Sequence, residues 1–191
     1  MSQHQILIVY ATSYGQTQKI ALRMRDQLVT DGFGVEVANV DDFPPEPDLL
    51  AFDGAIICGS IIRGRHSRHL EAYVKRNARA LSDMTAAFCS VSGSAGSANA
   101  AERDEAERML QRFLNATRWR PTLHATFAGA MAFTKYSPLV RWIMKRISAK
   151  EGGPTDTSRD HELTDWARVA EVTRLLAEAV DSNAAAAPSA G

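Results

Sequence analysis

An apolar run, Ile6-Leu7-Ile8-Val9-Tyr10-Ala11, stops at Thr12-Ser13-Tyr14-Gly15-Gln16-Thr17, and a helical pattern starts at once. That order suits an anion. Gly15 lets the backbone approach a ligand closely. The first N–H groups of the coming helix have no internal partner and point into the loop. Thr12, Ser13 and Thr17 add hydroxyl donors. The loop has no lysine and fits neither G-x-x-x-x-G-K-[ST] nor G-x-G-x-x-G. A hydroxyl-rich cradle of this kind suits a single terminal phosphate rather than a triphosphate. The same residues also make an ordinary strand-to-helix turn capped by Thr17, and the loop alone does not choose between the two.

Other chemistry is sparse. The five histidines, His4, His66, His69, His124 and His161, have no metal-ligand spacing with the cysteines, so no metal site is expected. No Ser-His-Asp or Cys-His arrangement stands out. His66 and His69 lie one helical turn apart, either as a proton shuttle or as solvent-facing residues at a helix start. Arg63, Arg65 and Arg68 cluster beside them and could grip carboxylates bidentately, or stay solvated.

The elements that must position these residues alternate. Ile20, Ala21, Met24 and Leu28 recur at helical spacing, with Gly32 as the cap that ends the helix. Val35 to Val40 reads as a second strand. Ala55-Ile56-Ile57-Cys58-Gly59-Ser60 reads as a third, and the run from Ala86 to Val91 as a fourth. Continuous apolar runs are what strands buried on both faces look like. Residues 122–133 hold a fifth strand. Helical stripes carry Leu70, Tyr73, Val74 and Leu81, then Ala106, Met109, Leu110, Phe113 and Leu114, and last Leu163, Trp166, Val169, Leu176 and Val180. The expected fold is α/β: a doubly wound, five-stranded parallel sheet with helices on both faces. Ligands in such sheets lie beyond the carboxyl ends of the strands. Three small or polar loops meet there, 12–17, 60–66 and 92–97.

The chain of 191 residues suits one domain, expected over residues 1–181, with a disordered tail at 182–191. Acidic and basic residues are equal at 22 each, which names no nucleic-acid partner. Cys58 and Cys89 sit in apolar runs and read as reduced core residues of a cytoplasmic protein. No stretch is long and apolar enough to span a membrane, and no signal-peptide pattern opens the chain.

One segment breaks the alternation, an insert at about 134–154 with an extra helix at 137–150. Ser137 caps it and Pro138 suits its first position. Leu139, Ile143 and Ile147 share one face, with Val140 and Met144 beside them and Arg141 and Lys145 opposite. Residues 135–150 carry five basic residues and no acid. The helix therefore either packs on the domain or lies on an anionic membrane surface, peripheral on the cytoplasmic face of the inner membrane.

Thr12-Ser13-Tyr14-Gly15-Gln16-Thr17 resembles the flavodoxin phosphate loop, [ST]-x-T-G-x-T, with tyrosine in place of the second threonine. Asp156-Thr157 and the segment to Thr164-Asp165 are similar to the acidic loop and last helix start of flavodoxins. The resemblance implies FMN as cofactor. It places Thr12, Ser13, Tyr14, Gly15, Gln16 and Thr17 around the phosphate, with Ser60, Ile61, Ile62, Arg63 and Gly64, then Ser90, Val91, Ser92, Gly93 and Ser94, near the ring, and Asp156 and Thr157 close by.

Within that superfamily the chain is most similar to the menaquinone-dependent protoporphyrinogen dehydrogenase group. The similarity rests on Tyr14-Gly15-Gln16-Thr17, Gly59-Ser60-Ile61, Trp119-Arg120-Pro121, Ala128-Gly129-Ala130 and Thr164-Asp165-Trp166, and extends over the basic insert. It implies oxidation of protoporphyrinogen IX in haem biosynthesis, with electrons passed to a membrane quinone. Arg63, Arg65 and Arg68 would then receive the substrate's propionates. The loop after the third strand lacks the aromatic residue expected beside a flavin ring. A soluble flavodoxin-type electron carrier and an NAD(P)H:quinone reductase are the alternatives, and a homo-oligomer is compatible with any of them.

Overall fold

Successive residues of the first strand face different cores, and this alternation sets the layers. The structure is a computed structural model that describes residues 4–150 and 152–186. In β1 (Gln5–Ala11), Ile6, Ile8 and Tyr10 join one apolar cluster, while Leu7, Val9 and Ala11 join another. Only a central strand needs apolar residues on both faces, because side chains alternate across the sheet. The other parallel strands are β2 (Gly34–Asn39), β3 (Gly54–Ser60), β4 (Thr85–Ser92) and β5 (Leu123–Ala128). Their order is β2-β1-β3-β4-β5, all in parallel register.

Helix α1 (Gln16–Thr30) and helix α5 (Trp166–Ala186) cover the first face, and α2 (Arg68–Asp83) and α3 (Ala100–Thr117) cover the second. Ile20, Ala21, Met24 and Leu28 are all fully buried, as their spacing predicts. The α1 helix ends as expected: Gly32 takes φ +96°, and the Phe33 amide donates back to the Leu28 carbonyl at 3.0 Å. Cys58 and Cys89 face each other across the β3–β4 pair, both buried and free.

Three boundaries differ from expectation. The chain leaves the sheet at Gly129, whose amide donates to the Ser92 carbonyl at 2.9 Å. Residues 122–133 therefore hold two strands, β5 and a short β6 (Ala130–Met131) that pairs with β7 (His161–Glu162). Leu163 belongs to the link before α5, because Asp165 caps that helix by accepting from the Arg168 amide at 3.1 Å. Helix α5 also continues to Ala186, so residues 182–186 of the expected tail are helical, and 187–191 lie outside the described residues.

The insert forms α4 (Pro138–Lys150), with the Ser137 hydroxyl accepting from the Val140 amide at 3.4 Å. Its inner side joins a third small cluster of Met131, Ala132, Phe133 and Tyr136, with Tyr14, Val140 and Met144 against it. Among the described residues no helix is long and apolar enough to cross a membrane.

Candidate functional site

Strand order turns back between β1 and β3, so the carboxyl ends of these strands diverge and leave a crevice. A cavity of about 250 Å³ opens there. Ser13, Tyr14, Gln16 and Thr17 line it from the β1–α1 loop, Ser60 to Arg63 from the β3 end, and Val91, Ser92 and Gly93 from the β4 end. Three loops far apart in sequence thus meet around one space.

The first loop is built to receive an anion. Gly15 sits before α1 with φ +97° and ψ −9°, a conformation that L side chains rarely adopt. The Gly15 amide donates to the Thr12 hydroxyl at 2.9 Å, which ties the turn and makes Thr12 a buttress rather than part of the lining. Thr17 is buried, lines the cavity and leaves its hydroxyl without a partner. An unpartnered buried hydroxyl costs about 1–3 kcal/mol, a cost that a ligand in this cavity would relieve. The free N–H groups of the first α1 turn lie at the same place. These features fit the phosphate monoester of FMN, whose ring would lie along the β3 and β4 loops.

Several expected site residues lie elsewhere. Ile62 and Arg65 pair across a tight turn with Arg63 (φ +51°) and Gly64 (φ +77°) at its tip. Arg63 lines the cavity, whereas Gly64 is on the far side of the turn. There Arg65 and Arg68 share a second groove with Arg112 and Glu71. Ser90 is buried, and its hydroxyl meets His66 rather than the cavity. Ser94 bonds to the Ser92 hydroxyl at 3.1 Å and supports that loop from outside. Asp156 is exposed, Thr157 is half-buried, and both lie off the cavity. The Asp156 carboxylate accepts from Ser158 at 2.6 and 3.0 Å, and these bonds hold its pKa below the usual range.

The two histidines part company. His66 is buried, its Nε2 3.0 Å from the Ser90 hydroxyl and its ring packed against Phe88 and Phe113. Burial pushes its pKa down to about 4, with the Glu71 carboxylate pulling weakly the other way. His66 is therefore a neutral core residue at neutral pH. His69 is exposed and meets Asp41 at 2.7 Å.

The cavity's far wall comes from residues that no motif in the sequence marks. Gly129, Ala130 and Met131 line it after the chain leaves the sheet, and Tyr136, Val140 and Met144 line it from the insert. Val140 and Met144 do fall beside the apolar stripe of α4, but nothing in that spacing says that the stripe faces a ligand. Tyr14 packs edge-on against Tyr136 with ring centroids 5.0 Å apart, which clasps the insert to the first loop. Aromatic groups thus reach the cavity from two segments other than the β3 loop. Lys135 also reaches the first loop, its ammonium donating to the Tyr14 carbonyl at 2.6 Å. Arg141, expected as a surface cation, turns back instead. Its guanidinium reaches the Thr134 and Tyr136 carbonyls at 3.4 and 3.3 Å, and its Nε is buried without a partner.

The model of the flavodoxin domain family matches residues 7–158. The chain is 33% identical over 181 residues to a protein of Escherichia coli K12 named protoporphyrinogen IX dehydrogenase [quinone], covering 92% of this chain and 96% of that one. It is also 33% identical over 166 residues to a protein of the same name from Leishmania major, covering 85% and 70%. Among solved structures it resembles a flavodoxin from the domain Archaea, with TM-score 0.55, 13% identity and coverage of 93% and 99%. Flavodoxin 1 from Bacillus cereus is similar at TM-score 0.53 and 13% identity, with coverage of 91% and 97%.

Proposed function

The chain belongs to the flavodoxin domain family, together with its protoporphyrinogen IX dehydrogenase relatives, and from that premise we propose that it is an FMN-dependent oxidoreductase that takes electrons from protoporphyrinogen IX and passes them to a quinone. The observation that carries this reading is the cavity where the three loops meet, with the unpartnered Thr17 hydroxyl at its phosphate end and the insert as its far wall. FMN, when bound, supplies the redox chemistry. The chain's own residues bind and shield it. Gly15, Thr17 and the first α1 turn hold the phosphate. Tyr136, Val140 and Met144 present apolar surface and exclude water. Arg63 at the cavity edge, with Arg65 and Arg68 beyond the same turn, offers guanidinium forks to propionates.

Anaerobic protoporphyrinogen IX with a menaquinone analogue is expected to yield porphyrin fluorescence that depends on the protein. Absence of product, with turnover of NADPH and quinone instead, would replace this reading with that of a nicotinamide-fed reductase.

The outer face of α4 supports a position on an anionic membrane. Leu139 and Trp142 are 68% and 56% exposed, Ile143 and Ile147 40% each. The Arg146 guanidinium lies 4.6 Å from the Trp142 ring centroid, and Lys145 is exposed. An apolar ridge flanked by cations suits the headgroup region of an acidic bilayer. The protein is expected to sediment with phosphatidylglycerol vesicles and not with phosphatidylcholine ones. K145Q/R146Q should lower the vesicle partition coefficient about thirtyfold, since each cation near such a surface contributes about 1 kcal/mol. Arg141 is left in place because it holds the start of the helix. Failure of the wild type to sediment with phosphatidylglycerol vesicles would remove the membrane role.

A further inference from the structure

The phosphate cradle has no charge in its own loop, yet a cation lies against it. Lys135 stands in a 3₁₀ turn, Phe133–Lys135, at the start of the insert. Its Nζ donates to the Tyr14 carbonyl at 2.6 Å, and a Cβ on Gly15 would stand 3.4 Å from that nitrogen. The ammonium is thus placed on the loop by a residue 121 positions away in sequence.

The placement is held from both sides. Phe133 is fully buried and packs edge-on against Tyr136, which in turn meets Tyr14. The Thr134 amide and hydroxyl both donate to the Asp160 carboxylate, at 2.9 and 2.8 Å. Asp160 thus holds the backbone of the turn, and its carboxylate also interacts through space with the Lys135 ammonium. Among the described residues Lys135 forms no ion pair, and the Tyr14 carbonyl uses only one of its three donors. Lys135 reaches the β1–α1 loop at Tyr14 and Gly15, and the unpartnered buried hydroxyl of Thr17 stands in the first turn of α1 that the same loop enters; together they are half of an anion site.

We propose that Lys135 is the cation of this cradle. It binds the phosphate monoester of the flavin nucleotide, so the insert supplies the charge that the loop lacks and selects phosphorylated over unphosphorylated flavin. This rests on the FMN reading given above. A lysine that only tethered the insert to Tyr14 would matter equally to both flavins.

The test is a binding cycle on the full-length apoprotein. FMN and riboflavin are titrated into wild type, K135Q and K135R by quenching of flavin fluorescence. K135Q is expected to weaken FMN about tenfold, the scale of one charge-assisted contact at a half-open site, and to leave riboflavin within about twofold. K135R should keep the preference for FMN. The FMN affinity of wild type should also fall more steeply with salt than that of K135Q. Inorganic phosphate should raise the melting temperature of wild-type apoprotein and not that of K135Q, a readout that needs no flavin. An equal loss for both flavins, or unchanged FMN affinity in K135Q, would overturn the proposal while leaving the FMN reading intact. Failure of wild type to bind either flavin would overturn both.

Discussion

Replacing Gly15 with valine is expected to weaken FMN binding about 100-fold. Gly15 holds φ +97° at the point where the chain enters α1. A residue with a Cβ is disfavoured there by about 1–2 kcal/mol, and a β-branched one more strongly. The variant must either keep that strain or turn the loop to negative φ, which redirects the N–H groups that face the cavity. The new side chain would also crowd the Lys135 ammonium. Both effects fall on the ligand end of the loop. Gly32 provides the control. It has nearly the same φ, +96°, with open space around it, and lies at the opposite end of α1. G32V should lower the melting temperature without changing FMN affinity. Isothermal titration of the two variants separates strain from site. FMN binding by G15V within about threefold of wild type would mean that the loop is only a turn.

The second large effect concerns acid stability. His66 has its pKa lowered to about 4 in the folded protein because its ring is buried against Phe88 and Phe113. In the unfolded chain it titrates near 6.5. Between these values the unfolded state takes up a proton that the folded state refuses, so stability rises with pH across this window and falls on acidification. The loss from His66 alone approaches about 3 kcal/mol at pH 4. Glutamine can still reach the Ser90 hydroxyl but does not titrate. Urea midpoints of H66Q should therefore decline less than those of wild type between pH 6.5 and pH 4, the carboxylates contributing equally to both. Parallel declines would show that His66 is protonated in the folded state, which would reopen its role as a proton carrier.

The layers were legible because they follow from period and run length. Strands such as Ile6 to Ala11 and Ala55 to Cys58 run apolar without alternation, and only strands covered on both faces do so. Their alternation with amphipathic helices then placed the β1–α1 loop at the ligand edge. The resemblance to flavodoxins rested on that same loop. What the sequence could not convey was three-dimensional company. Gly64, Ser90 and Ser94 neighbour true lining residues in sequence, but a tight turn or the strand pleat sends each away from the cavity. His66 sits one residue before a helix cap, where exposure is usual, yet the Ile62–Arg65 turn folds it inward. Asp156 and Thr157 follow the insert, and their loop is spent on its own turn. Lys135, Tyr136, Val140 and Met144 were hidden for the opposite reason. They read as part of an insert whose helix packs or binds lipid, while the two faces of that helix divide those tasks: one closes the cavity and the other is exposed.

The division also gives the insert a reason to exist. Here residues from the insert wall the cavity, place Lys135 on the phosphate loop and carry an apolar ridge outward. Such a segment suits a protein that admits a large, apolar, carboxylate-bearing substrate beside a membrane-soluble acceptor.

The most direct measurement is the flavin's own absorbance under anaerobic conditions. FMN-loaded protein is mixed with protoporphyrinogen IX, and a menaquinone analogue is added afterwards. Bleaching of the flavin is expected as porphyrin fluorescence appears, then recovery of the oxidised spectrum on addition of the quinone. A flavin that stays oxidised with protoporphyrinogen IX but bleaches with NADPH would contradict the role as a protoporphyrinogen dehydrogenase.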